Sequence, residues 1–141
     1  MNETVKTSIY GLREKCAVAY IASVDEEGYP QVKCVLSLEH ESMQVQYFST
    51  NLSSKHVSQF QKNPKASVYY CDEAQYKAAL FTGKMEICTD HDSKALLWRD
   101  GFETYYPKGV DDEDYCVLKF TADTVNYYHG LANETFSVTE L

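Results

Sequence analysis

The sequence has no run of about 18 apolar residues, the length a membrane-crossing helix needs, so no membrane helix is expected. Its opening stretch, MNETVKTSIYGLREK, lacks the charged-then-apolar order of an export signal, and export is not expected. No internal repeat, low-complexity tract or long linker interrupts it. The five cysteines (Cys16, Cys34, Cys71, Cys88 and Cys116) form no CxxC pair. An odd number of scattered thiols with no export signal fits a reducing cytoplasm, where a cysteine in a strand acts as a small apolar side chain. The phosphate-loop pattern GxxxxGKS, the dinucleotide pattern GxGxxG, the nucleophile elbow GxSxG and the zinc pattern HExxH are all missing. His40, His56, His91 and His129 are too dispersed for a preformed zinc site, so no metal is expected. Cations are scarce: 13 Lys and Arg stand against 21 Asp and Glu, for a net charge of −8. Such a chain repels nucleic acids and anionic membranes unless it carries a distinct basic patch.

What is present reads as strand. A length of 141 residues is that of one domain, 1–141, able to bury a real core. Twelve tyrosines and six phenylalanines favour sheets and flat aromatic surfaces. The first dozen residues place Val5, Ile9 and Leu12 at helical spacing. AVAYIASVD (17–25) is a strand, EEGYP a turn, and QVKCVLSLE (31–39) a strand with Val32, Cys34, Leu36 and Leu38 on one face and Lys33, Val35 and Ser37 on the other. MQVQYFS (43–49) is a third, and the short links predict a three-strand antiparallel meander. A helix follows, with Ser53 as N-cap and Leu52 and Val57 as its staple, and Pro64 stopping it. KASVYYC (65–71) and KAALFTGKMEIC (77–88) are strands four and five. A second short helix runs from about Asp92 to before Gly101, carrying Ala95, Leu96 and Trp98. After a loop at 102–114, YCVLKFTA (115–122) is strand six and the tail is short and mixed. Six strands joined by short links predict a closed or nearly closed antiparallel barrel.

One stretch stands out by charge. An average window of thirty residues in this chain holds roughly four or five carboxylates, yet residues 42–71 hold none and carry Lys55, His56, Lys62 and Lys65. Within it, Ser49-Thr50-Asn51-Leu52-Ser53-Ser54-Lys55 sets a row of donors at a helix start. First-turn N–H groups and the helix dipole favour an anion there. Hydroxyls on Ser49, Thr50 and Ser54 with the Lys55 ammonium suit a phosphate monoester; a plain helix cap with solvated lysines is the alternative. Lys33 reaches the same place if a ligand groove runs along its strand, where the backbone of Lys33, Cys34, Val35 and Leu36 meets the polar edge of a flat ring. Trp98 and the Tyr105–Tyr106 pair read as core or interface, or as a stacking surface for such a ring.

The order of these pieces resembles a known family. GYPQVKCVLSLEHESMQVQYFSTNLSSKHVSQFQKNPKASVYY is similar to the pyridoxamine 5′-phosphate oxidase-like flavoproteins, and FTGKMEI to the long strand that follows. LLW with TYYPKGVDDEDYCVLKFTADTVNYYHG resembles the general stress protein 26 branch, so the likeness spans about residues 17–130. It implies a mainly β, six-stranded antiparallel Greek-key split barrel that binds FMN between the subunits of a homodimer. Lys33 then stands at a basic phosphate contact, Val35 and Leu36 beside the flavin ring, and Ser49 and Thr50 at the strand-end contacts. Lys55 replaces the family's phosphate-binding arginine and His56 its neighbouring lysine. Lysine cannot make arginine's bidentate contact, and histidine is only partly charged near neutrality, so this clamp is the weaker one. Ala78 replaces a flavin-contacting amide, and YYHGLANETFSVTEL lacks the oxidase's C-terminal Arg/His substrate signature. The resemblance therefore implies an FMN-dependent oxidoreductase of an unknown small substrate rather than a true pyridoxamine phosphate oxidase. The alternatives are a flavin-binding stress protein without turnover, or a related haem- or deazaflavin-binding barrel.

Overall fold

A computed structural model describes residues 1–38 and 42–141; His40 and the link around it lie outside the described residues. In chain order come α1 (Glu3–Lys15), β1 (Val18–Val24), β2 (Pro30–Leu36), β3 (Val45–Asn51), α2 (Lys55–Lys62), β4 (Lys65–Asp72), β5 (Lys77–Cys88), α3 (His91–Leu97), β6 (Tyr115–His129) and β7 (Ala132–Ser137). Among the described residues no helix is long and apolar enough to cross a membrane.

All pairings are antiparallel and join one sheet in the order β2-β1-β4-β5-β6-β3, with β7 continuing β3's edge along the far half of β6. The sheet curls until β2 and β3, its two ends, come into contact without pairing, which is a barrel split along one seam. Its inner face carries Ile21, Phe48, Val68, Tyr70, Phe81, Leu118, Phe120 and Val125, closed over by Ile9 and Leu12 of α1 and Val57 and Phe60 of α2. Gln46 is fully buried among them, but its amide donates to the Met43 carbonyl at 2.9 Å and accepts from the Tyr70 hydroxyl at 2.8 Å, so no polar group is orphaned there. A second cluster, Leu97, Tyr115 and Val117 with Trp98, Phe102 and Tyr106 around them, covers the outer side of β3 and of the first half of β6.

The outer face of the remaining sheet is different. Residues paired across antiparallel strands share a face. The register therefore lays Val18, Tyr20 and Ala22 of β1 beside Leu36, Cys34 and Val32 of β2, and beside Ser67 and Tyr69 of β4. The row continues through Ala78, Leu80 and Thr82 of β5, Thr124, Asn126 and Tyr128 of β6, and Asn133 and Thr135 of β7. These side chains are uncharged; at one end of the same face the register sets Lys65 of β4 beside Lys84 of β5, with Asp123 close by.

The structure corrects several expectations. The first three strands form no meander: β1 and β2 are a hairpin, but β3 pairs with β6. There, unlike beside β2, the outward side chain of Tyr47 is covered by the second cluster while Phe48 enters the core. The described residues form seven strands, because β6 runs on to His129 and returns through a two-residue turn as β7. Helix α2 begins one residue later than expected, with Ser54 rather than Ser53 at the N-cap, and Leu52 stays exposed instead of stapling Val57. Helix α3 starts at His91 and buries Lys94 and Leu97 rather than Ala95 and Leu96; Trp98 is its C-cap. Of the cysteines only Cys116 is buried, whereas Cys34 is exposed.

Candidate functional site

The turn between β3 and α2 is built by hydrogen bonds to a distant residue. Asp114, on the approach to β6, accepts from Leu52 N–H at its carbonyl (2.6 Å) and from Ser53 N–H (2.8 Å) and Ser53 Oγ (3.0 Å) at its carboxylate. Ser54 turns its hydroxyl back to the Asn51 carbonyl at 2.9 Å and makes no capping bond, so no N-cap side chain occupies the first-turn N–H groups of α2. The helix is held to β1 by Ser23 Oγ, which donates to Gln59 Oε1 at 2.5 Å.

This turn faces Lys33 across a groove of about 470 Å³, lined by Lys33, Asn51, Ser53, Ser54, Lys55 and His56 among others. Lys33 sits there because β2 alternates: it shares a side with buried Val35, while Val32, Cys34 and Leu36 face out. Among the described residues neither Lys33 nor Lys55 has an ion-pair partner. Among the described residues no carboxylate lines the groove, although Asp114 stands behind Ser53. Two cations and a helix start without a side-chain cap thus converge there.

The other cations of the acid-free stretch do not join. Lys62 is paired with Glu26, and Lys65 lies beside Thr82 and Lys84 in a separate depression. His56 does line the groove but brings no charge. It is only 5% exposed, and its Nε2 lies 2.8 Å from Thr50 Oγ1 and 3.2 Å from Ser54 Oγ. Burial, and then the positive charge of Lys33, hold its pKa down to about 4, so the ring is neutral at pH 7. The Ser54 hydroxyl spends its proton on Asn51, so toward Nε2 it can only accept, whereas Thr50 Oγ1 can donate or accept; the ring tautomer decides which of the two contacts is the hydrogen bond.

Neither Ser49 nor Thr50 lines the groove. Adjacent on a strand, they point to opposite faces: Thr50 inward to His56, Ser49 outward beneath the second cluster. The Ser49 Oγ is buried with no hydrogen bond of normal geometry; the Tyr115 hydroxyl, close enough to feel it, donates instead to the Lys94 carbonyl at 2.9 Å. Trp98 stands away from the groove too, edge-on to Tyr115 at 5.2 Å and to Phe102 at 5.6 Å. Val35 is in the core, and Cys34 and Leu36 belong to the uncharged part of the outer face. Asp114, which shapes the turn, has no local signal in the sequence: it acts on a segment 61 residues earlier.

The arrangement suits one chemistry at this end of a ligand, the seating of a phosphate. The lysines supply charge, and Asn51, Ser53 and Ser54 supply polar side chains. The lining's one histidine is neutral and already in contact with two hydroxyls.

Comparison with known proteins places the chain. A solved structure from Clostridium acetobutylicum, of a protein related to general stress protein 26 of B. subtilis in the pyridoxinephosphate oxidase family, shares 36% identity over 99% of both chains with a TM-score of 0.90. A pyridoxamine 5′-phosphate oxidase-related, FMN-binding protein from Nostoc punctiforme superposes with a TM-score of 0.68 at 12% identity, covering 94% of this chain and 86% of its own. A haem-binding protein from Mycobacterium smegmatis gives 0.75 at 14% identity, covering 99% and 60%. These last two likenesses carry the fold alone. No curated protein matches in sequence. The family model for pyridoxamine 5′-phosphate oxidase matches residues 7–129, and with it the chain belongs to the pyridoxamine 5′-phosphate oxidase family.

Proposed function

We propose that the groove between Lys33 and the start of α2 seats the phosphate of FMN, and that the protein is an FMN-dependent oxidoreductase of the general stress protein 26 type acting on a small molecule. The observation that carries this is the convergence, among the described residues, of two unpaired lysines on a helix start without a side-chain cap, with no carboxylate in the lining. Bound flavin would supply the electron-transfer chemistry. Lys33 and Lys55 would neutralise the phosphate from opposite walls, and the first-turn N–H groups of α2 would donate to it. Neutral His56 would stand beneath it, against the Ser54 hydroxyl. The ring would then lie against β2, whose outer residues Val32, Cys34 and Leu36 are exposed, at a seam with a second copy of the chain. The exposed, uncharged patch of Tyr20, Val32, Cys34 and Leu36 on β1 and β2 supports that homodimer. Haem, the ligand of one structural relative, finds no exposed histidine in the groove, because both partners of His56 Nε2 are already in place.

The absorption spectrum of the purified protein separates flavin from haem. Replacing Lys55 or Lys33 by alanine should weaken FMN by about 1.5–3 kcal/mol, the range of a charge-assisted hydrogen bond, or roughly ten- to hundredfold in Kd. Unaltered FMN affinity in both variants would remove the phosphate assignment. Reduction of the bound flavin by NADH or NADPH, with reoxidation by an added acceptor, distinguishes an oxidoreductase from a protein that only stores the cofactor.

A further inference from the structure

Beyond Lys55 the surface changes sign. A second cavity of about 540 Å³ adjoins the phosphate groove and shares Lys55 and Gln59 with it. Its far wall is the β1–β2 turn, which contributes Asp25, Glu26 and Glu27. The groove proper holds two lysines and no carboxylate, whereas this cavity sets three carboxylates against Lys55 and Lys62. Lys62 is already committed to Glu26. The turn is rigidly built. Asp25 accepts from Glu27 N–H and Tyr29 N–H, both at 2.9 Å, and from Gln31 Nε2 at 3.0 Å, and Gly28 takes the positive φ of 87° that the turn requires. The Glu27 carboxylate has no ion-pair partner among the described residues.

Resting on the reading of the groove as the FMN phosphate site, we propose that Glu26 and Glu27 are specificity-determining residues that restrict the site to a flavin ending in a single phosphate and disfavour dinucleotides such as FAD. FMN and FAD carry the same ring and differ only past the first phosphate. A phosphate seated between Lys33 and Lys55 stops on the cationic side of the boundary. The second phosphate of a dinucleotide, continuing past Lys55, enters the cavity walled by the turn, where the one additional cation is held by Glu26 and Glu27 is free to repel. Selectivity here comes from an unfavourable contact with the wrong ligand rather than a better contact with the right one. Asp25 is the turn's scaffold, so the exchangeable charges are its two neighbours.

The test is titration of the full chain with FMN and with FAD, in the native protein, Glu27→Gln and the double variant Glu26→Gln/Glu27→Gln. Both side chains are solvent-exposed, so the fold tolerates the change. The native protein should prefer FMN by on the order of tenfold or more. The double variant, which removes one repelling charge and frees Lys62, should bind FAD roughly tenfold more tightly than the native protein, with FMN improved by less than about threefold. Equal native affinity for both flavins, or an FMN-to-FAD ratio the substitutions leave unchanged, overturns the specificity role. Failure of the native protein to bind FMN at all removes the phosphate site itself, and is read independently of that ratio.

Discussion

His56 is a histidine the fold keeps uncharged. Its folded pKa of about 4 lies below the ordinary value of 6.5, so the unfolded chain binds a proton that the native one refuses across the interval between them. The stability tied to this residue is whole above pH 6.5 and drains away as pH falls toward 4, to a total of roughly 2–3 kcal/mol. His91 works in the opposite sense. Asp111, 2.7 Å from its Nδ1, raises its pKa, so that contact is strongest at low pH and is lost as pH rises through the shifted value; full exposure makes it the lesser influence. Urea melts of the native protein and of His56→Gln between pH 4 and 7 should therefore differ in slope, the variant losing less stability on acidification. Equal pH dependence would mean that folding leaves the ring's pKa where it stands in the unfolded chain. At this scale the sequence is legible up to the point where strand parity intervenes. Lys33, Ser54, Lys55 and His56 meet as their spacing implies. Ser49 and Thr50 are neighbours on one strand, so no single groove takes both side chains, and as it happens the groove takes neither.

At the scale of elements, the feature that aligns the site is the crossing of β5 and β6. Their register shifts between Thr82 and Gly83, and a Cβ added at Gly83 would stand 2.0 Å from the Thr121 carbonyl oxygen and 2.8 Å from the Ala122 Cα. Those are backbone atoms of the longest strand, which also pairs with β3 and β7 and so positions the turn before α2 through Asp114. Gly83→Ala has no side chain to push aside. It should cost about 2 kcal/mol or more, read as a lower urea midpoint at unchanged slope. Here the sequence shows only a glycine inside the run FTGKMEI; that a partner backbone lies against it is a tertiary fact. The end of β6 was missed, the expected strand stopping at Ala122 where the structure carries it to His129. Beyond Thr121, the pattern Ala122, Thr124, Val125, Asn126, Tyr127 hides an alternation broken by Asp123, but Gly130 opens a two-residue loop with φ of 61°, the position a tight hairpin reserves for glycine. β3's partner was not readable at all, since chain proximity favours β2 and only the outward cover over Tyr47 chooses β6.

For the whole molecule, the decisive quantity is what the outer face of the sheet does. A monomer would leave Val32 69% exposed, Leu36 48% and Tyr20 37%, in an uncharged patch on β1 and β2 whose sheet face carries charge only toward the Lys65–Lys84 end. An exposed apolar patch of this kind is what a partner surface offers. β2 also has an unpaired outer edge, which ordinary monomers protect with lysines or proline placed outward. Here Pro30 opens the strand but Val32, Cys34 and Leu36 remain bare, as expected of a face another copy covers. The Tyr69 and Tyr128 hydroxyls lie 2.6 Å apart, one donating to the other, so this part of the face keeps one hydroxyl proton for an acceptor. Two copies packed through it would put β2 of each subunit, and with it the groove beside Lys33, at the seam. Tyr20→Lys introduces a charge at the centre of the face without touching the groove. It should convert a particle of twice 16.1 kDa, measured by light scattering after gel filtration, into one of half that mass. FMN affinity should fall with it even though both lysines are intact, because the ring's half of the site is then open to water. A native protein that is monomeric at tens of micromolar, or a monomeric variant that holds FMN as tightly as the native protein, would show that this face does not complete the site.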